Sequence, residues 1–197
     1  MARNMQPVLK RCRTLGIEPS VMGIDKSSNR NPRPMRRKQS EYGRQLTEKQ
    51  KVKFIYGMLE KQFHKYYELA MKMPGVTGEN LLQILESRLD NVVFRLGLAN
   101  TRRESRQLVN HGHILVNGKK LDIPSYRVKV GDVISLKEKT QGSDRMKEIV
   151  EANSSRIVPK WLDMDKNTLT GKVIALAERD DIDFDVEEHL IVELYSK

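Results

Sequence analysis

The sequence predicts an α+β protein in which helices come first, a small antiparallel sheet follows, and a basic, extended arm stands at the N-terminus. Three observations predict this organisation. Residues 1–46 are poor in large apolar side chains and rich in Lys and Arg. Residues 47–112 repeat their apolar side chains at helical spacing, and from residue 114 the repeat changes to every second residue. That change of period marks where the helices end and the sheet begins.

Charge and composition narrow the class of protein. The 197 residues carry a net charge of +10 and a single cysteine, Cys12. Residues 1–53 hold 14 Lys and Arg against 4 Asp and Glu, whereas residues 161–197 hold 4 against 10. So uneven a distribution favours a nucleic-acid partner over a basic surface kept only for solubility. No apolar run approaches the roughly 18 residues of a membrane span, and we expect neither a disulfide, nor secretion, nor insertion into a membrane surface.

The N-terminal arm has the composition of a segment that orders on a polyanion. Between Asn29 and Gly43 the stretch "NRNPRPMRRKQSEYG" contains two prolines and five basic residues. The prolines oppose a helix and the like charges oppose collapse. We therefore expect residues 1–46 to be loosely ordered alone in water and to wrap RNA when bound.

One long amphipathic helix is predicted to follow the arm. Thr47 is expected to cap it, with Gln50 completing a capping box, and "MPG" at Met73–Gly75 to end it. The apolar face consists of residues at helical spacing: Val52, Ile55, Met58, Leu59, Phe63 and Tyr66. The lysines are expected mostly on the solvent side: Lys49, Lys53, Lys61 and Lys65.

A second helix, or two in tandem, is predicted over "TGENLLQILESRLDNVVFRLG", with Gly97 as its left-handed stop. One stripe carries its apolar side chains: Leu81, Leu85, Leu89, Val92 and Leu96. Thr101 then begins another helix, in which Glu104 makes a second capping box. That helix is expected to end near Gly112.

Short strands are predicted next, over "ILVN", "KKLD", "YRVKV" and "DVISL". Asn117-Gly118 is a strong two-residue hairpin signal, and Gly131-Asp132 is a weaker turn. A polar helix is expected from Gln141 to Asn153. The segments "TGKVIALAERDD" and "HLIVELYSK" are ambiguous between helix and strand.

His111 and His113 form a His-x-His pair that resembles part of a metal site. Zinc or copper would need two further ligands nearby, and the sequence supplies no obvious ones. Nucleophilic catalysis is disfavoured too, because no Ser or Cys stands in a strained elbow motif. The favoured interpretation is structural, with His111 and Gly112 at the helix end and His113 leading into a strand. Either imidazole remains a candidate contact to phosphate or ribose.

The arginines of the helix beginning at Thr101 are the stronger signal. Arg102, Arg103 and Arg106 fall within about 100° of one another at helical spacing. We interpret them as a binding site for RNA phosphates, to which Arg95 and two lysines of the hairpin, Lys119 and Lys120, also contribute. The alternative is that these arginines only make surface ion pairs, but Glu104, the local acid, is expected to be occupied in the cap.

Two other features have weaker functional interpretations. Trp161 is expected to pack in a core or a domain seam before it stacks on a base. The acidic residues between Asp180 and Glu188 lack the glycine and terminal glutamate of a calcium-binding EF-hand loop. We expect that segment to face protein or solvent and not phosphate.

The stretch "RLDNVVFRLGLANTRRESRQLVNHGHILVNGKKLDIPSYRVKVGDVISL", Arg88–Leu136, resembles the RNA-binding module of the S4 family of small-subunit ribosomal proteins. Pseudouridine synthases, tyrosyl-tRNA synthetases and a ribosome-rescue factor also carry this module. The flanks resemble the ribosomal proteins themselves, namely "MAR", "EYGRQLTEKQKVKFIYGMLEKQF" and "EEHLIVELYSK". The resemblance covers essentially the whole chain and leaves no stretch for a catalytic domain.

The resemblance implies an S4 RNA-binding domain, with helices packed on an antiparallel sheet, inserted into a helical domain. It sets the expected boundaries: residues 1–46 for the basic arm, 47–87 for the helical domain, completed by about 175–197, 88–150 for the S4 domain, and 151–174 for a connection back to the helical domain.

The same resemblance implies a structural role and no enzymatic activity. Its implied partner is 16S ribosomal RNA, bound early at a five-way junction to organise the body of the small (30S) subunit in the cytoplasm. Small-subunit proteins five and three, and messenger RNA where it enters the subunit, are further implied partners, and translational accuracy an implied effect. We expect no membrane contact and no homo-oligomer. The alternative is a stand-alone S4-domain factor in ribosome rescue or translational regulation.

Many relatives bind zinc through an N-terminal cysteine cluster. Here Leu9 and Cys12 stand where the first Cys-x-x-Cys would be, and the later cysteines are absent. One thiol cannot hold zinc, so we expect no cofactor, and an arm held by packing and RNA.

The predicted site is therefore an RNA-binding surface with no catalytic or metal-binding residues. Its members are the cations of the arm, the first helix and the S4 domain: Arg3, Lys10, Arg11, Arg13, Arg33, Arg36, Arg37, Lys38, Arg44, Lys49, Lys53, Arg95, Arg102, Arg103, Arg106, His111, Lys119 and Lys120.

Overall fold

A computed structural model describes residues 6–26, 30 and 40–196 of the chain. The chain divides into two compact units. One contains the residues up to Leu82 together with those from Asp183 onward, and the other runs from Gln83 to Ile182.

The first unit begins with helix α1, Val8–Leu15, and a 3-10 turn, Pro19–Met22. Gly16 ends α1 in the left-handed conformation, with a φ of 66°. The apolar side chains of this segment are buried, Cys12 to 1% exposure. The described part of the predicted arm therefore differs from the loosely ordered segment that its charge predicts, because four apolar side chains suffice to pack it: Cys12, Leu15, Ile17 and Met22.

The predicted long helix is in fact two helices: α2, Glu41–Ile55, and α3, Glu60–Met71. Gly57 has a φ of 63°, which a continuous helix cannot accommodate. The predicted cap is also wrong. The hydroxyl of Ser40 accepts the N–H of Gly43 at 3.2 Å, whereas Thr47 lies inside α2 and donates its hydroxyl to the carbonyl of Gly43. Ser40 is the cap because α2 begins seven residues before the start that Thr47 would give.

The C-terminal helix α9, Glu188–Tyr195, packs on α2 and α3 within the first unit. Its Tyr195 ring lies 4.7 Å from the Tyr67 ring, centroid to centroid, and 6.3 Å from the Phe63 ring. The amide of Gln45 donates to the carboxylate of Glu193 at 3.0 Å. The ambiguous segment "HLIVELYSK" is thus helical because it buries Leu190 and Ile191.

The division between the units falls within α4, Thr77–Glu86. The second unit continues with α5, Leu89–Arg95, and α6, Arg102–Asn110. Of the two predicted arrangements, the tandem one is therefore present. Arg88 breaks the helices by adopting an extended conformation and forming a β-bridge with Arg127.

A five-stranded antiparallel sheet forms the other layer of this unit, in the order β2-β1-β3-β5-β4. The strands are β1 at Ile114–Val116, β2 at Lys119–Lys120, β3 at Val133–Leu136, β4 at Leu162–Asp165 and β5 at Thr170–Val173. Helices on an antiparallel sheet are the predicted α+β class. The predicted strand "YRVKV" is reduced to the single bridge at Arg127.

The structure places residues 151–174 differently from the expected connection. They supply β4 and β5, and β5 pairs with β3, so Gly171 lies opposite Ile134. The pairing of β5 with β3 could not be predicted from local patterns, because the two strands are far apart in the sequence. The polar helix predicted from Gln141 to Asn153 is confirmed as α8, Asp144–Ala152, which Ser143 caps, and a short helix, α7 at Glu138–Gln141, precedes it.

The core of the second unit lies between the helices and the sheet. Its fully buried members come from α5, α6 and the first strands, among them Leu89, Val92, Val109, Ile114 and Ile134. Trp161 is 3% exposed and belongs to this core, which confirms the packing interpretation over base stacking. The helices that carry the predicted arginines are thus held on a rigid sheet.

Candidate nucleic-acid interface

Helix α6 begins at the predicted cap. The hydroxyl of Thr101 accepts the N–H of Glu104 at 3.2 Å, and the carboxylate of Glu104 accepts the N–H of Asn100 at 2.9 Å. The reciprocal bond therefore reaches the residue before the cap and not Thr101 itself. These two bonds fix where α6 starts and hence the angular position of each side chain along it.

The faces of α6 separate the three predicted arginines. Arg102, Ser105 and Val109 face the interior, whereas Arg103, Gln107 and His111 form an exposed stripe at intervals of four residues. Arg102 is only 6% exposed. The predicted 100° arc of arginines thus spans the border of the buried face. Arg102 lies on the buried side, and its contact to phosphate stays a prediction.

Arg102 is held by two neighbours on α5. Its Nε donates to the side-chain oxygen of Asn91 at 2.8 Å, and its guanidinium carbon lies 4.3 Å from the centroid of the Phe94 ring. A guanidinium on an aromatic face is attracted by the ring's negative surface. Arg102 therefore joins α6 to α5.

Arg95 is also buried, at 5% exposure, and does not reach the surface. Its Nε and Nη2 donate to the two carboxylate oxygens of Glu86 at 3.0 and 2.8 Å, a bidentate pair. The amide of Asn91 donates to the same carboxylate at 2.7 Å. A continuous buried network thus runs from Arg95 through Glu86 and Asn91 to Arg102, and the RNA contact at Arg95 stays a prediction.

Asp90 makes a second polar connection between α5 and α6. Its carboxylate accepts two bonds from Arg88 at 3.0 and 2.6 Å and lies 3.8 Å from Arg106. Its carbonyl accepts the hydroxyl of Ser105. Arg106 is partly exposed, with 22% of its side chain accessible, so it stands at the edge of the surface that Arg103 occupies fully.

The hairpin between β1 and β2 presents the two predicted lysines. Asn117 and Gly118 have φ values of 51° and 76°, the left-handed pair that a two-residue turn requires. The Asn117 side chain fixes the turn by bonding to Asp132 and to the N–H of Val133. Lys119 and Lys120 are both exposed on the edge strand that follows.

His111 and His113 end the helix and begin the strand as the structural interpretation predicts. Their ring centroids are 6.1 Å apart, and His113 Nδ1 lies 2.9 Å from the hydroxyl of Thr140. Burial, with the positive charges of His111 and Lys137 nearby, lowers the pKa of His113. His113 is therefore a neutral hydrogen-bonding group at pH 7, and His111 is the exposed member of the pair.

The Lys120 side chain lies directly over Gly112, where any Cβ would collide with its methylenes. Gly112 has a φ of 68°. This contact places the end of α6 beside the hairpin, so the cations of both elements form one surface. We call Arg103, Arg106, His111, Lys119 and Lys120 the α6–hairpin surface.

Two predicted cations of the first unit, Lys49 and Lys53, form ion pairs with Glu60. Lys49 and Lys53 lie 2.6 and 2.8 Å from its two carboxylate oxygens, and the Tyr195 hydroxyl donates to it at 2.8 Å. Burial opposes ionisation of Glu60, but these three hydrogen bonds outweigh it and lower its pKa to about 2. Because Lys49 is 9% exposed, its predicted place on the solvent side is wrong, and its RNA contact stays a prediction.

The remaining predicted residues of the first unit differ in their surroundings. Lys10 is exposed, Arg11 donates to Gln50 at 3.4 Å, and Arg13 donates to the carbonyl of Leu9. Arg44 is exposed and lies 3.5 Å from Glu187. The other arm residues lie outside the described residues: Arg3, Arg33, Arg36, Arg37 and Lys38.

The buried residues that hold α5 and α6 together were not predicted from the sequence. Asn91 and Glu86 are polar residues inside an apolar helical pattern, a signal that a buried network uses them. Arg156, which follows α8, contacts the turn between α5 and α6 and had no local sequence signal. Over residues 6–26, 30 and 40–196, no helix is long and apolar enough to cross a membrane, and no three metal-ligating side chains come together.

Comparison with known proteins identifies families and relatives that match this chain. A family described as "S4 domain" matches residues 87–134, and one described as "Ribosomal protein S4/S9 N-terminal domain" matches residues 3–86. The chain is 60% identical to the small ribosomal subunit protein uS4 of Agathobacter rectalis over 197 residues, all of both chains. It is 59% identical to that of Lachnoclostridium phytofermentans and 53% identical to that of Fusobacterium nucleatum, again over the full length of each chain.

Proposed function

The chain belongs to the small ribosomal subunit protein uS4 family, and on this premise we propose that it binds 16S ribosomal RNA directly and helps to organise the body of the small subunit. As a member of that family it is a structural component of the small (30S) subunit in the cytoplasm. The single observation that supports direct RNA binding is the α6–hairpin surface, which collects exposed cations on rigid elements.

The surface suits the backbone of folded RNA. A-form helices hide their base edges in a deep major groove, so shape and phosphate position are what a protein can sense. Arg103 and Lys119 are held on a capped helix and a hairpin with a fixed turn, so their backbone loses little conformational freedom on binding. Neutralising phosphates releases counterions, which supplies the affinity.

We propose no catalytic step, no zinc and no other cofactor. The reason is chemical: a structural zinc site takes four Cys or His ligands, and the sequence has a single cysteine, Cys12. The proposed protein partners are small-subunit proteins five and three, with messenger RNA close by and an effect on translational accuracy. The charge reversal towards the C-terminus supports a protein partner there over RNA.

RNA affinity tests the proposal directly. The affinity for a 16S five-way-junction fragment is measured for the wild type and for the quadruple variant Arg103→Ala, Arg106→Ala, Lys119→Ala, Lys120→Ala. If about 6–10 phosphates are contacted, wild-type affinity falls by roughly 10³–10⁵ between 50 and 200 mM salt. The variant is expected to bind more weakly and with a smaller salt slope.

The matched control is Lys160→Ala, Lys172→Ala, which removes exposed cations of the same unit outside α6 and the hairpin. We expect it to bind as the wild type does. Equal affinities for wild type and quadruple variant, with an unchanged circular-dichroism spectrum, would show that RNA binds elsewhere. The stand-alone-factor alternative is tested by stoichiometry, since a structural subunit remains at one copy per small subunit after a high-salt wash.

A further inference from the structure

Arg156 contacts the turn that precedes α6. Its Nη1 donates to the carbonyls of Phe94 and Ala99 at 3.2 and 3.1 Å, and its Nη2 donates to the carbonyl of Asn100 at 3.3 Å. These carbonyls belong to the end of α5 and the turn after it, where the helix leaves backbone acceptors unsatisfied. One side chain from beyond α8 thus closes the α5–α6 turn.

The same guanidinium stacks on an aromatic ring. Its carbon lies 4.5 Å from the centroid of Phe94, and the guanidinium carbon of Arg102 lies 4.3 Å from that centroid. Phe94 is therefore contacted by two cations, one from α6 and one from the segment after α8. The attraction of a guanidinium to an aromatic face is strongest where water is excluded. The ring couples the position of Arg156 to that of the first residue of α6.

A neighbouring side chain reinforces this attachment. The amide of Asn153 donates to the side-chain oxygen of Asn100 at 2.9 Å and to the carbonyl of Ile149 at 2.8 Å. The backbone N–H of Asn100 in turn donates to Glu104. The segment after α8 therefore holds the residue immediately before the helix cap, from which α6 takes its start.

The start of α6 decides which side chains face outward. Successive helical residues differ by 100°, so the exposed stripe of Arg103 and His111 adjoins the buried residues Arg102 and Ser105. A rotation of the helix would turn Arg103 from its exposed position towards the buried side. Any residue that fixes this rotation acts on RNA affinity without touching RNA.

We propose that Arg156 is a positioning residue for the RNA-binding face: by closing the α5–α6 turn and stacking on Phe94 it sets the rotation of α6 and thereby the place of Arg103 and Arg106. This inference rests on the proposed function, because it needs the α6–hairpin surface to be the one that binds. Arginine is required, since a lysine has one nitrogen and no plane to stack.

The conservative variant Arg156→Lys separates positioning from a direct phosphate contact. A phosphate contact would survive the change, because lysine also neutralises phosphate. Positioning would not, so Arg156→Lys and Arg156→Ala are both expected to lose about tenfold in affinity for the junction fragment, within the range seen for residues that act on a site without contacting it. Hydrogen exchange at the first turn of α6 is expected to accelerate in both variants.

A double-mutant cycle supplies the second measurement. In a background of Arg103→Ala, Arg106→Ala, the change Arg156→Lys is expected to cost less than about twofold, because the residues it positions are gone. Arg145→Lys is the matched control, since Arg145 also reaches α6, bonding Glu104 at 3.0 Å, but has 67% of its side chain exposed. We expect Arg145→Lys to bind RNA as the wild type does.

The possible results are distinguishable. Wild-type affinity for Arg156→Lys, or losses that add fully in the cycle, would overturn the positioning role and leave the proposed function intact. No loss in the Arg103→Ala, Arg106→Ala background itself would overturn the α6–hairpin surface. If Arg156→Ala does not fold, the RNA affinities of Arg156→Lys and Asn153→Ala are compared with that of the wild type. Asn153→Ala removes the neighbouring bond to Asn100.

Discussion

The Nε of Arg102 donates a hydrogen bond to the side-chain oxygen of Asn91 at 2.8 Å, and both side chains are buried. Arg103, the next residue, is exposed. Two adjacent arginines of one helix therefore have different tasks, one holding the helix in place and the other presenting its charge. This division yields the first prediction.

Arg102→Ala is expected to destabilise the protein by about 2–4 kcal/mol, because it leaves Asn91 without this donor and removes a stacked side chain from Phe94. Arg103→Ala is expected to leave stability within about 0.5 kcal/mol while weakening RNA binding. Urea unfolding and junction binding measure the two effects. Equal loss of stability in both variants would contradict the assigned faces of α6.

Glu86→Gln is expected to cost about 3–5 kcal/mol in the free energy of unfolding, because it leaves the buried guanidinium of Arg95 without its counter-charge. The control is Glu148→Gln, whose carboxylate pairs with Arg145 at the exposed surface and contributes little. Thermal and urea unfolding of both variants test this. A small effect at Glu86 would mean that the network around Asn91 tolerates the uncompensated charge.

The stability of the first unit is expected to fall in acid because of Glu60. Its pKa is about 2 in the folded protein and near the ordinary 4.5 when unfolded, so the unfolded state binds the proton first. The stabilisation is therefore complete above pH 4.5 and is lost as the pH falls towards 2. The carboxylate is partly exposed and screened, so the expected loss is about 1–2 kcal/mol.

Glu60→Gln provides the comparison for this acid effect. Its unfolding free energy should lack the wild-type decline between pH 4.5 and 2, and Tyr195→Phe should show part of the change because it removes one of the three donors. Parallel pH profiles for wild type and Glu60→Gln would exclude Glu60 as the origin.

His113 is expected to titrate below the ordinary 6.5, because burial and then the charges of His111 and Lys137 disfavour its cation. Its contribution to stability is present above pH 6.5 and is lost as the pH falls through the lower folded value. An NMR titration of the His113 ring checks the midpoint. A His113 midpoint above 6.5 would contradict the assignment.

Much of the fold was accessible from local patterns. The cap at Thr101, the turn at Asn117-Gly118 and the change of apolar period at Ile114 are all where the sequence predicts them. Each depends on atoms within a few residues of one another, so neighbouring side chains suffice to specify it.

Other features differ from the predicted pattern. The break at Gly57 and the earlier start of α2 at Ser40 changed the first helix, and the pairing of β5 with β3 recruited a segment expected to be a connection. Gly57 and Ser40 act within their own segment, where the apolar pattern does not indicate them. The partner of β5 is a strand about 40 residues away.

For the interface, the sequence alone determined the charge, the family, the helix cap and the hairpin, because composition and short-range hydrogen bonds carry that information. The tertiary structure decided which cations are available. Arg95, Arg102 and Lys49 became internal because Glu86, Asn91 and Glu60 lie beside them in space, and burying a charge is tolerated only where such partners meet it. Helical spacing placed three arginines on one arc, and packing against α5 divided that arc between the core and the solvent.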